Sequence, residues 1–102
     1  MDRLEALKNL LAQDPANSFA RYGLAMEYVK TGALEEAVAE FRRLAEQDRD
    51  YAYAYFHCGQ ALEKLERLDE ARETYRQGLE AAARRGDAHA RSEIQAALDL
   101  LG

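Results

Sequence analysis

His57 and Cys58 are the one adjacent pair that could supply a nucleophile and its base, and His89 is the only other histidine. A thiol nucleophile needs a base within hydrogen-bond reach, but neighbouring residues on a helix point about 100° apart. The pair does not face itself, and the lone cysteine reads as a small apolar core residue. A metal site needs converging ligands, and no His-x-x-x-His or Cys-x-x-Cys spacing occurs. Glu35-Glu36 and Asp69-Glu70 stand where helices begin, where acids favour the helix dipole, and Glu27 and Glu63 lie on polar stripes. There is no glycine-rich phosphate loop and no nucleophile elbow. Arg85-Gly86-Asp87 spells an adhesion tripeptide but reads better as a helix end followed by a cap. Without a converging polar constellation the chain does not read as an enzyme, and no cofactor or metal is expected.

The elements that would position these residues are helical nearly throughout. Leu4, Leu7, Leu10 and Leu11 recur at spacings of three and four, which makes one apolar stripe. Asp14-Pro15 ends that segment, because a residue before proline avoids helix. Asn17-Ser18 offers a cap for a second segment with the stripe Tyr22, Leu24, Ala25, Tyr28 and Val29, which Gly32 stops. A third stripe holds Leu34, Ala37, Val38, Phe41, Leu44 and Ala45, and the polar run Asp48 to Asp50 closes it. Further segments run from about Tyr51 to Lys64 and from about Leu68 to Arg85, and a last one carries Ile94, Leu98 and Leu101. Short turns between helices predict stacked antiparallel hairpins.

The segments repeat. A shift of 34 residues lays Ala20 on Ala54, Leu34 on Leu68, Ala37 on Ala71, Arg42 on Arg76 and Glu46 on Glu80, with Tyr22 on Phe56 and Phe41 on Tyr75 as conservative matches. The same shift upstream lays Leu7 on Phe41, Leu10 on Leu44 and Asp14 on Asp48. The matched positions alternate small and large, as facing helices require for close packing.

This pattern resembles the tetratricopeptide repeat, whose period is 34 residues. Leu24, Ala25, Tyr28, Ala37 and Phe41 carry the resemblance in one repeat, Cys58, Gly59, Leu62, Ala71 and Tyr75 in the next, and Asp14-Pro15 matches the dipeptide that usually closes a repeat. Arg21 departs from it where the family prefers tryptophan, Arg49 and Ala83 where it prefers proline, and Glu66 where it prefers the turn glycine. The resemblance implies an all-α fold of antiparallel hairpins stacked as a short right-handed solenoid. It divides the single domain 1–102 into a leading half-repeat helix (1–17), repeat one (18–51), repeat two (52–85) and a capping helix (86–102).

Carried over position by position, the family's concave groove is presented by Phe19, Tyr22, Met26 and Lys30, then by Tyr53, Phe56, His57, Gln60 and Lys64, and then by Asp87, Ala90, Arg91 and Ile94 of the last segment. Rings and a methionine at neighbouring positions suit protein binding. The alternative is that Phe19 and Tyr53 pack beneath an adjacent helix. Family members that grip a C-terminal carboxylate use a lysine and asparagines; Tyr22, Met26, Phe56 and Gln60 stand there instead, so an apolar or aromatic-rich segment is the expected ligand. Function is therefore expected to be capture of a peptide segment or partner protein. The alternative is self-association, as a homodimer through the N-terminal end where Leu4, Leu7 and Leu11 lack a hairpin partner.

Bulk properties agree with that class. The chain has 102 residues, 48% of them apolar and 32% charged, with one proline and six glycines. It has the size of one domain with a modest core. A net charge of −5 and no basic run longer than Arg42-Arg43 or Arg84-Arg85 argue against nucleic acid and anionic membrane as partners. No apolar run approaches a membrane span. The first ten residues do not read as a secretory signal, and a single cysteine fits a reducing compartment, so a cytoplasmic location is expected.

Overall fold

A computed structural model describes residues 2–102. It contains α1 (Arg3–Gln13), α2 (Ser18–Thr31), α3 (Leu34–Gln47), α4 (Ala52–Lys64), α5 (Leu68–Arg85) and α6 (Ala88–Leu101), and no strand among the described residues. Asp2 caps α1 by accepting the Glu5 backbone N–H at 2.8 Å. Asn17 caps α2 by accepting from Ala20 N at 3.0 Å, and Asp87 caps α6 by accepting from Ala90 N at 3.0 Å. Each bond satisfies a donor that the helix itself cannot.

Three helix ends close through one turn. Gly32 has φ 82°, and Ala33 N–H donates to Tyr28 O at 2.8 Å. Gly86 has φ 69°, and Asp87 N–H donates to Ala82 O at 2.9 Å. Between them Glu66 takes φ 60°, with Arg67 N–H on Leu62 O at 2.9 Å. The departure from glycine at position 66 did not change the turn. It left an L-residue in the left-handed region, at a cost of about 1 kcal/mol.

Each helix packs on its neighbours in sequence, and α4 also touches α6. The result is a slab of 41 × 29 × 18 Å. One core runs from α2 to α6. Phe41, Leu44, Leu62, Tyr75 and Ile94 are its largest fully buried side chains, and Ala25, Ala37, Ala54 and Ala71 are buried between them. Burying each large apolar side chain contributes about 1.5–3 kcal/mol. The small residues set helix separation: a methyl group added at Gly59 would lie 2.7 Å from Cδ1 and Cζ of the Tyr75 ring. A second cluster joins α1 to α2 through Leu7, Leu11, Ala20 and Leu24. Leu10, expected on the buried stripe, is 48% exposed.

Two buried residues are charged, Arg21 and Glu40. Arg21 Nη1 donates to Glu40 Oε2 at 2.7 Å, and Arg21 Nη2 donates to Pro15 O at 2.9 Å. Arg43 holds the other Glu40 oxygen at 2.5 Å, and Gln47 Nε2 reaches the same Pro15 carbonyl at 3.0 Å. The α1–α2 connection is thereby fastened to α3. Arg21 stands where the family's bulky tryptophan would, so its stem and ion pair do the filling.

Candidate functional site

Helices α2 and α4 meet through rings, and α4 meets α6 through the Tyr53 hydroxyl and Glu93. Tyr22 on α2 packs edge-on against His57 of α4 at 5.8 Å and stacks on Tyr51 at 5.6 Å. On α4, Phe56 meets His57 at 5.2 Å and Tyr53 at 6.1 Å. The cluster rests on the core through Phe41, stacked on His57 at 6.0 Å, and Tyr75, 6.4 Å from Phe56. Spacings of three and four bring Tyr22 with Met26, and Tyr53 with Phe56 and His57, onto one helix face each. Tyr51 also joins the cluster. It sits just before α4, where periodicity within a helix cannot assign a face.

The residues expected in the groove divide by exposure. Tyr22, Met26, Tyr53, Phe56 and His57 are half-buried; Lys30, Gln60 and Lys64 are exposed. Phe19, at the start of α2, is 82% exposed and takes no part in the ring contacts. The rings thus have one side on the core and one side open. Burial lowers the His57 pKa, with Gln60 and Glu93 acting against the shift, so the ring is held neutral at pH 7. Burial likewise raises the Tyr22 phenol, so no proton chemistry is poised there.

Arg91 does not join this surface. It lines a separate groove on the outer side of α5 and α6 with Ala82, Ala83, Ser92, Gln95 and Asp99, while Ala90 and Ile94 are fully buried in the core. The cause is a change of register. Helix α5 has 18 residues where α3 has 14, and the connection after it is shorter, so α6 begins 36 residues after α4 rather than 34. Ala90 and Ile94 then take the places of Ala54 and Cys58, and Arg91 that of Tyr55. The residues that fall beside Tyr53 and His57 are His89 and Glu93. Tyr53 Oη donates to Glu93 Oε1 at 3.3 Å, and His89 Nε2 lies 2.5 Å from the same oxygen.

His57 and Cys58 face different surroundings. Cys58 is 3% exposed at the floor of a cleft of about 580 Å³ where α3 and α5 diverge above α4, lined also by Arg42, Ala54, Tyr55, Thr74 and Arg84. Burial pushes its thiol up to about 11, which keeps it protonated and unreactive. Among the described residues no group of His, Cys, Asp and Glu is placed to hold a metal ion. No helix among them is long and apolar enough to cross a membrane.

Residues 25–66 match the TPR repeat family profile and residues 52–85 the tetratricopeptide repeat profile. A TPR repeat-containing protein of Pseudomonas aeruginosa is 34% identical over 91 residues, which cover 89% of this chain and 87% of that protein. The crystal structure of a tetratricopeptide repeat domain protein from Salinibacter ruber superposes with a TM-score of 0.78 at 40% identity, over 83% of this chain and 94% of the other. The TPR2B domain of yeast Sti1, in its complex with pHsp70, superposes at 0.89 over 96% of this chain and 78% of the other; at 18% identity that likeness shows the fold alone.

Proposed function

Because the chain belongs to the tetratricopeptide-repeat family, a family of helical protein-interaction modules, we propose that the surface shared by α2, α4 and α6 captures a segment of another protein. One observation carries this reading: a continuous run of rings, Tyr22, Tyr53, Phe56 and His57, is left half-open, with the 82%-exposed Phe19 one turn before Tyr22 on α2, while Phe41 and Tyr75 are wholly buried. Open aromatic surface gives a ligand large apolar contact at small cost in side-chain entropy. The yeast Sti1 domain, in complex with pHsp70, shows that this fold can hold a partner. The division into a leading half-repeat (1–17), two repeats (18–51 and 52–85) and a cap (86–102) belongs to the same proposal. The polar outer face of α6, where Arg91, Gln95 and Asp99 replace Tyr55, Gly59 and Glu63 of α4, supports its role as a cap. The lone buried Cys58 supports a reducing, cytoplasmic setting.

Phe19→Ala is the discriminating variant, since so exposed a ring contributes little to folding. Capture of partners from lysate, identified by mass spectrometry, is expected to fall with affinity weakened by about 2 kcal/mol where Phe19 is a hot spot. Partners captured equally by Phe19→Ala and by Gln60→Arg would place binding elsewhere. Leu7 and Leu11, expected open at the N-terminal end, are instead buried against α2, with Leu4 packed on them; a second reading, self-association through α1, is favoured only by Leu10, which is 48% exposed. A concentration series of molar mass with Leu10→Glu alongside tests it: a mass that stays monomeric at every concentration excludes that reading.

A further inference from the structure

The proposed groove is electrically divided along its length. Lys30 and Lys64 occupy the last turns of α2 and α4, both exposed, and among the described residues neither makes an ion pair. They stand 34 residues apart at equivalent positions and so mark one edge of the surface. The acid lies nearer the other edge. Glu93 is 37% exposed in its side chain, touches Tyr53 Oη and His89 Nε2 through one oxygen, and acts electrostatically on His57; the Phe56 ring packs against both Tyr53 and His57. A carboxylate set beside rings is partly shielded from water, which strengthens a charge-assisted hydrogen bond to a cation. The ring faces add their own attraction for ammonium or guanidinium groups.

We infer, resting on the groove reading, that the captured segment is bipolar: a lysine or arginine seats over Tyr53, Phe56 and Glu93, an acidic side chain meets Lys30 and Lys64, and apolar side chains lie between. The 36-residue register between α4 and α6 puts Glu93 level with His57. Seven residues of α4 separate His57 from Lys64, which is about 10 Å along the axis. Because Glu93 and the lysines also stand on different helices, a ligand must space its opposite charges by at least about seven residues if helical, or about three if extended. A uniformly acidic segment would satisfy the lysines but repel Glu93, and a uniformly basic one the reverse. The overall charge of −5 does not set this preference; the local division does.

A phage-displayed random peptide library panned on the whole chain tests this without a known partner. Enriched peptides are expected to combine a basic residue, an apolar stretch and an acidic residue, with the charges at or beyond the smaller spacing for an extended ligand or the larger for a helical one. Panning on Glu93→Gln should erase the basic position and keep the acidic one; panning on the double variant Lys30→Gln, Lys64→Gln should do the opposite. Circular dichroism confirms that each variant is folded. One enriched peptide, synthesised with its charges exchanged end for end, should bind wild type at least about tenfold more weakly. Enriched peptides with no basic preference, or with one that Glu93→Gln leaves intact, overturn the bipolar inference and leave the groove standing. No enrichment, or enriched peptides indifferent to Phe19→Ala, sinks the groove reading and this inference with it.

Discussion

Gly59 and Gly23 both sit inside helices, and replacing each with alanine should move stability in opposite directions. Alanine gains about 1 kcal/mol over glycine in a helix interior from propensity alone. At position 59 the new methyl lies 2.7 Å from Cδ1 and Cζ of Tyr75, against a comfortable carbon–carbon separation of about 3.5–4.0 Å. It would meet Tyr75 Cε1 closer still, so the ring must retreat by more than about 1 Å. It has nowhere to go: Tyr75 is fully buried and its hydroxyl is held by Glu63. Overpacking of this kind costs about 1–3 kcal/mol, and loosening the Tyr75–Glu63 hydrogen bond adds about 1 kcal/mol. Net of propensity, Gly59→Ala should destabilise by about 1–3 kcal/mol. At Gly23 the nearest atom is Leu7 Cδ2 at 3.1 Å, the tip of a side chain that can turn aside. There the propensity gain should win, by up to about 1 kcal/mol. Urea unfolding followed by far-ultraviolet circular dichroism reads both as midpoint shifts with the slope unchanged. Gly59→Ala at or above wild-type stability would refute the small-against-large account of the hairpin, and Tyr75→Leu in the same background should relieve the loss.

Glu66→Gly should raise the thermal midpoint by relieving the left-handed backbone, a gain held to about 1 kcal/mol by the entropy glycine adds to the unfolded chain; a lower midpoint would mean the side chain contributes more than the strain costs. Cys58 should react with a thiol reagent far more slowly in the native protein than in urea, given its 3% exposure and a thiol pushed up to about 11; equal rates would show that the cleft between α3 and α5 opens readily. Glu40→Ala strands the Arg21 guanidinium, whose side chain is 10% exposed, and should cost about 3–5 kcal/mol. The double variant Arg21→Met, Glu40→Leu should lose less in the same urea assay, and a neutral Glu40→Ala would mean that water already screens the pair.

Much of the fold was legible because its boundaries are made by local chemistry. Asp14-Pro15, Gly32 and Gly86-Asp87 end or begin helices for reasons contained within a few residues, and the 34-residue shift located the strained turn at Glu66. The Arg21–Glu40 pair was not legible. Its partners lie 19 residues apart on different helices, and Arg21 registered only as a departure from the family pattern. Which residues of α2 and of α4 share a face was legible, because the period of 34 holds there. On α6 the count slipped, because the extra length of α5 is offset only in part by the shorter connection after it. Counting by 34 therefore set Arg91 level with His57, where Glu93 stands. Burial would have corrected the count, since Ala90 and Ile94 match Ala54 and Cys58 only at 36, but that comparison needs the packed helices. The half-burial of Tyr22 and Phe56 belongs with these omissions: helical spacing assigns a face, and only tertiary contact says how far a ring sinks into it.

The clasp on Pro15 bears on how the protein comes apart. Stacked-hairpin proteins open from their ends, because an outermost element has a neighbour on one side only. Here the first element to leave is not independent of what it leaves behind. The Pro15 carbonyl accepts from Arg21, itself bound to Glu40, and from Gln47 on α3. Detaching α1 with its connection withdraws one partner from a guanidinium that has few others, whose Nε is already buried without one. It also uncovers Ala20 and Leu24. Fraying of the first eleven-residue helix is thereby tied to the electrostatics of the hairpin beneath it. The N-terminal end should let go as a unit rather than one turn at a time, and ligand held across α2 and α4 would feel that release as a loosening of its own floor.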